Sequence, residues 1–241
     1  MDGDLGSLLC RAAALGDLSH SRWLVARGAD VNSCEVGGRT ALHLAVPHPA
    51  IVEFFLQNGA STNLPDHAGV VPLHTAARYH ADALEVLLAA PDIDVNAKTN
   101  FGLTPLHCAV DGISTESTNG ERTVSCLNLL IEAGADVDAV CNSRRSALDL
   151  ALCRGLRKAV KLLFRAGAKI PTGILPVRTP YNEAAFAVYD RIKAAGDWKA
   201  HARNHQRVLA GLVRKCAPRL PDDAARHVVG FWTPPGGYYT C

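Results

Sequence analysis

Residues 104–109 read Thr104-Pro105-Leu106-His107-Cys108-Ala109, and three other stretches of the 241-residue chain share that grammar. They are Thr40-Ala41-Leu42-His43, Val71-Pro72-Leu73-His74 and Ser146-Ala147-Leu148-Asp149. Small residues follow each (Ala45, Ala76-Ala77, Ala109, Ala151), then a bulky apolar run: Phe54-Phe55-Leu56, Leu87-Leu88, Leu129-Leu130 and Leu162-Leu163. The units close near Gly-Ala-Asp-Val-Asn, at 28–32, 59–63, 94–96, 134–138 and 167–169. A hydroxyl residue before Pro-Leu predicts a helix N-cap with proline at the first helical position, where no donor is needed. The alanines let a neighbouring helix lie close, and the leucines give a second helix an apolar face. The closing Gly suits a cap with positive φ. One such unit cannot bury both its faces, so the units must stack into a shared core.

The steps Leu42 to Leu73, Leu73 to Leu106 and Leu106 to Leu148 are 31, 33 and 42 residues. On these motifs the chain resembles the ankyrin repeat, with its period of about 33 residues and T-P-L-H signature. The resemblance covers residues 5–171. It implies an all-α solenoid of five repeats, about 5–34, 35–65, 66–98, 99–140 and 141–171, the first opening on Leu8-Leu9-Cys10 as a capping unit. Residues 1–171 form the repeat domain in this reading, and 172–241 a small helical C-terminal module. Repeat two loses two residues at Pro47-His48-Pro49, predicting a short stiff turn. Repeat four gains a polar insertion, 112–121, expected to be a mobile surface loop. Val71 forfeits the hydroxyl cap of repeat three, and Asp149 stands where His is usual.

Hydrophobic residues at 48% and charged residues at 20% permit a sizeable core, and aromatics at only 6% favour closely packed helices over a sandwich. The formal net charge of +2 gives no reason to expect specific nucleic-acid binding. Residues 172–241 carry ten Lys/Arg against five Asp/Glu, so the tail is basic and the repeat domain mildly acidic. Eight scattered cysteines form no C-x-x-C pair, and Met1-Asp2-Gly3-Asp4 lacks the shape of a signal peptide. The expectation is a reduced intracellular, cytoplasmic setting without membrane association, the cysteines acting as small buried hydrophobes.

His43, His74 and His107 recur at repeat spacing, so stacking keeps them apart and they cannot share one metal ion. The family resemblance implies instead a structural role, hydrogen-bonding backbone between units. His201 and His205 sit four apart without a third ligand, as on a solvated helix face. No phosphate-binding, nucleotide-binding or hydrolase motif occurs in a fitting context. Neither catalytic residues nor a metal or cofactor is expected, and the chain is read as a non-enzyme.

The remaining chemistry is recognition. By the resemblance, hairpin tips and inner-helix ends line a concave face that binds another protein. The candidates placed there are Arg39, His48, Val70, Arg78, Tyr79, Phe101, Leu103, Asp111, Arg145 and Arg154, the aromatic and Arg side chains standing out as typical interface anchors. After Pro171 the grammar stops. Asn182 should cap a helix ending at Gly196, and Asp197 a second one from Trp198 to about Cys216. A third short helix should follow Leu220-Pro221-Asp222-Asp223. Leu212, Cys216 and Leu220 resemble the Elongin-binding element of suppressor-of-cytokine-signalling (SOCS) boxes, which often follow ankyrin arrays. The Leu-Pro-x-Pro element that such boxes carry downstream is missing, and the Leu-Pro-Asp-Asp run also resembles an F-box opening. The expected function is a protein-interaction adaptor. The alternatives are a substrate-recognition subunit of a cullin-type ubiquitin ligase, partnered by ligase subunits, or a regulator masking a transcription factor, which would place it in the nucleus as well. The competing reading of the tail is a cap that buries Phe186, Tyr189, Trp198 and Leu212 against repeat five.

Overall fold

The computed structural model describes residues 5–112, 121–169, 182–197, 199–200 and 203. The chain divides into two compact units, Met1–Phe186 and Ala187–Cys241.

Among its described residues the first unit holds five helix pairs: α1 (Leu5–Leu15) with α2 (Leu18–Ala26), α3 (Ala41–Ala45) with α4 (Pro49–Gln57), α5 (Pro72–Tyr79) with α6 (Ala81–Leu88), α7 (Pro105–Asp111) with α8 (Glu121–Glu132), and α9 (Ala147–Cys153) with α10 (Arg157–Arg165). Odd-numbered helices pack on their odd neighbours and even-numbered on even, giving an inner and an outer layer. The five-repeat expectation is met. Leu42, Leu73, Leu106 and Leu148 are each at most 1% exposed, and with Ala45, Ala76, Ala109 and Ala151 they fill the inner layer. One residue of each outer apolar run is fully buried: Phe55, Leu87, Leu130 and Leu163. Each such leucine contributes about 1.5–3 kcal/mol by leaving water.

Pro72 and Pro105 occupy the first helical turns as expected, whereas Pro49, expected in the turn between helices, opens α4; Gly59, at φ 81°, ends the α4 unit. Thr40, Thr104 and Ser146 are the N-cap residues, but the two threonines cap differently from the expectation. Their hydroxyls donate to the Nδ1 atoms of His43 and His107, at 2.9 and 2.8 Å, and take no backbone N–H. The histidine does the capping. Its Nδ1 accepts the N-cap N–H at 3.1 Å in repeat two and 3.2 Å in repeat four. Repeat three therefore keeps its cap despite Val71, whose N–H reaches His74 Nδ1 at 3.1 Å.

Cys10, Cys108, Cys126 and Cys141 are buried, whereas, contrary to expectation, Cys153 is half-buried and Cys34, bridged to Thr40 in a hairpin, is exposed. Burial pushes the thiols of Cys108 and Cys126 up to about 12 and about 11. Residues 113–120 of the insertion lie outside the described residues.

Helix α11 (Glu183–Ala194) carries the unit boundary within it. Asn182 starts it, its carbonyl accepting from Ala185 and Phe186, and Gly196 at φ 91° follows its end. Ala185, Phe186, Val188, Tyr189 and Ile192 are buried. Asp197 accepts the Ala200 N–H, as a cap for the next helix should. Trp198, Leu212, Cys216, Leu220 and the proposed third helix lie outside the described residues.

Candidate protein-recognition face

Three hydrogen-bond ladders run along the array, one tying every repeat to the next and two doing so from repeat two onward. In the first, the ring that caps its own helix through Nδ1 turns Nε2 toward the following repeat. His43 Nε2 lies 2.9 Å from the Val70 carbonyl, His74 Nε2 3.0 Å from that of Leu103, and His107 Nε2 3.0 Å from that of Arg145. With Nδ1 accepting an N–H, Nε2 must carry the proton, so each ring is held as the neutral Nε2–H tautomer. Burial pushes all three pKa values down, opposed by these backbone bonds. In repeat five Asp149 accepts from the Ser146 N–H and hydroxyl, both at 2.8 Å, which reproduces the cap but not the bond to a further repeat.

The second ladder runs along the unit ends. Asn32, Asn63 and Asn96 each accept a backbone N–H of the next repeat, from Ser61, Asp94 and Asp136 at 2.8, 3.0 and 2.8 Å. Asp138 does the same for Lys169 at 2.9 Å. The third joins the tips: the N–H groups of His67, Asn100 and Asn142 donate to the carbonyls of Gly37, Ala68 and Phe101. At the tips the backbones approach so closely that a Cβ on Gly102, at φ 72°, would lie 2.9 Å from Asn142 N. The corresponding residue of repeat five is Arg144, at φ 56° the sole non-Gly residue with positive φ among those described.

These ladders decide what the predicted recognition residues offer. The carbonyls of Val70, Leu103 and Arg145 are spent on histidines, leaving only their side chains. Phe101 projects from its tip 68% exposed, and Tyr79 ends α5 38% exposed. Arg39 is exposed and paired with Glu35. His48 starts α4 with its ring against Gly16 of the preceding repeat, where a Cβ would be 2.6 Å away. Three predicted residues from different repeats are brought together. Asp111 pairs through Oδ2 with Arg78 at 2.8 Å and through Oδ1 with Arg154. The Arg78 guanidinium lies over the Tyr79 ring, 5.3 Å from its centroid, and Arg122 donates to the Tyr79 carbonyl at 3.0 Å.

Sequence reasoning missed two features. Val36, placed at the first tip from the sequence but not chosen as an anchor, is 99% exposed. Repeat five, 141–169, carries eight Lys/Arg against one Asp/Glu, whereas residues 1–140 carry seven against seventeen, an asymmetry visible only when charge is counted repeat by repeat. Among the described residues no group of three or more His, Cys, Asp or Glu could hold a metal, and no helix is long and apolar enough to cross a membrane.

A family model for ankyrin repeats matches three overlapping spans, 9–99, 47–120 and 73–173. Among curated relatives, mouse "Ankyrin repeat and SOCS box protein 16" is 31% identical over 91% of this chain and 54% of its own length. Mouse "Ankyrin repeat and SOCS box protein 14" is 36% identical over 50% of this chain and 19% of its own length. The "Putative ankyrin repeat protein YahD" of Escherichia coli (strain K12) is 27% identical over 65% of this chain and 94% of its own. The chain thus spans about half, or less, of the two SOCS-box relatives. Period, paired helices and inter-repeat histidines all agree with the matched spans, and the chain belongs to the ankyrin-repeat family, a family of protein-interaction modules.

Proposed function

We propose that the tip and inner-helix face of this array selects a protein partner, and that binding rather than catalysis is the activity. The observation that carries this reading is the exposure of Phe101, Tyr79 and Val36 on a backbone already locked by three ladders. A rigid scaffold loses little freedom on binding, so aromatic anchors on it return most of their contact energy as affinity. Arg39, Arg145 and Arg154, from the second and fifth repeats, add guanidinium donors to the same face. The test is quantitative co-purification with the full chain and with Tyr79→Ala/Phe101→Ala. The reading requires that at least one partner fall about tenfold or more in recovery, and an unchanged set of partners rejects it.

A second reading couples that partner to a ubiquitin ligase. A match to 91% of the chain must run past the repeat domain, which is about seven-tenths of it, into residues 172–241. That relative is named for a SOCS box, and Leu212, Cys216 and Leu220 carry the likeness to the Elongin-binding element in this chain. Leu212→Ser/Cys216→Ser should then abolish recovery of Elongin and cullin subunits while the array's own partner stays. Recovery of neither subunit with the unaltered chain contradicts the ligase reading and leaves the array's role standing.

A further inference from the structure

We infer that the inner side of repeat five receives an acidic, extended segment of the partner protein, its carboxylates taking guanidinium donors of Arg78, Arg145 and Arg154. This rests on the recognition role proposed above and specifies the chemistry of the partner.

The internal carboxylate of Asp111 already occupies part of such a site. It sits between guanidinium groups from repeats three and five and accepts one Nη2 donor from each. Each guanidinium has five N–H groups, so this one carboxylate leaves donors on both arginines, whose side chains are 37% and 39% exposed. Arg122 adds a third positive charge beside them through its bond to the Tyr79 carbonyl. Burial pushes the His80 pKa down, Arg122 and His48 add to the effect, and Asp82 opposes it. At the other end of α9, Arg144 and Arg145 are exposed, and among the described residues no carboxylate pairs with either. The one acidic residue of repeat five, Asp149, is taken up by Ser146. The seven-residue α9 separates the two positive ends by about 10 Å. An extended peptide covers that span with roughly three residues.

Among polyanions, a short acidic peptide fits better than nucleic acid or an anionic membrane. The positive charge is concentrated in repeat five, joined by Arg78 and Arg122 from repeats three and four, and residues 1–140, with ten more acidic than basic side chains, repel any long polyanion lying along the array. The same asymmetry fixes a direction, with the acidic end of the bound segment at repeat five.

The test uses the full chain, a labelled twelve-residue Glu-Ser repeat peptide, its Lys-Ser counterpart and a twelve-nucleotide single strand, with affinities measured by fluorescence anisotropy. The Glu peptide should bind, the Lys peptide should not, and Arg145→Ser/Arg154→Ser should weaken the Glu peptide at least about tenfold. Arg157→Ser/Lys161→Ser removes the same charge from the outer helix α10 and should cost less than about threefold. Asp111→Asn, which releases donors on both arginines, should tighten binding. Thermal melts confirm that each variant is folded. Equal losses in the two double variants, tighter binding of the oligonucleotide, or no gain with Asp111→Asn would overturn the inference. Partner recovery that depends on Phe101 and Tyr79 would survive any of these results, so the recognition face and the acidic segment fail separately.

Discussion

His107 Nε2 donates to the carbonyl of Arg145 at 3.0 Å across thirty-eight residues of sequence, while its Nδ1 accepts the N–H of Thr104. One ring thus caps its own helix and fastens the next repeat. His107→Ala leaves the buried Thr104 N–H without a partner and takes from the Arg145 carbonyl one of its two donors, the other being the Cys141 N–H, and should cost about 2–4 kcal/mol. Asp149→Ala removes only a cap and should cost about 1 kcal/mol. Urea denaturation of the two variants checks the difference.

Acid should loosen the array through the same rings. His43, His74 and His107 have folded-state pKa values held below the ordinary 6.5 by burial. Between those values and 6.5 the unfolded chain binds more protons, so stability rises with pH there. It should be level with respect to these groups above about pH 7 and fall below 6.5, by up to about 1.4 kcal/mol per pH unit for each histidine. A urea midpoint followed from pH 8 to 5 measures the slope, and His107→Ala should reduce it.

The hairpin tips offer a paired test. Arg144→Gly relieves a left-handed conformation at φ 56° and should stabilise by about 1 kcal/mol. Gly102→Ala adds strain at φ 72° together with overlap on Asn142, and should destabilise by about 2–4 kcal/mol. Thermal melts of the two should shift in opposite directions.

Thiol reactivity should sort by position in the fold. Cys34 is exposed and should alkylate readily at pH 8, whereas Cys108 and Cys126, buried and raised to about 12 and about 11, should label only on unfolding. Peptide mapping after a brief iodoacetamide pulse reads the order.

The repeat, its boundaries and the structural histidines were legible because each depends on residue type at a fixed period. Asn32, Asn63 and Asn96 recur with the same period, and only their reach into the next repeat was hidden, since it depends on the rise between units. The missing hydroxyl at Val71 misled, because the cap comes from the ring three residues on. Arg144 could not be recognised as strained, for nothing in an arginine announces positive φ. The meeting of Asp111 with Arg78 and Arg154 joins residues tens of positions apart, and long polar side chains carry no periodic signal for such pairing.

The most direct test of the account is quantitative mass spectrometry of proteins retained by the full chain and by its Arg39→Ala/Phe101→Ala/Arg145→Ala variant, both shown to be folded. Loss of at least one retained partner by about tenfold or more is the predicted result. A partner set identical for the two chains would contradict the claim that this face is where the protein binds.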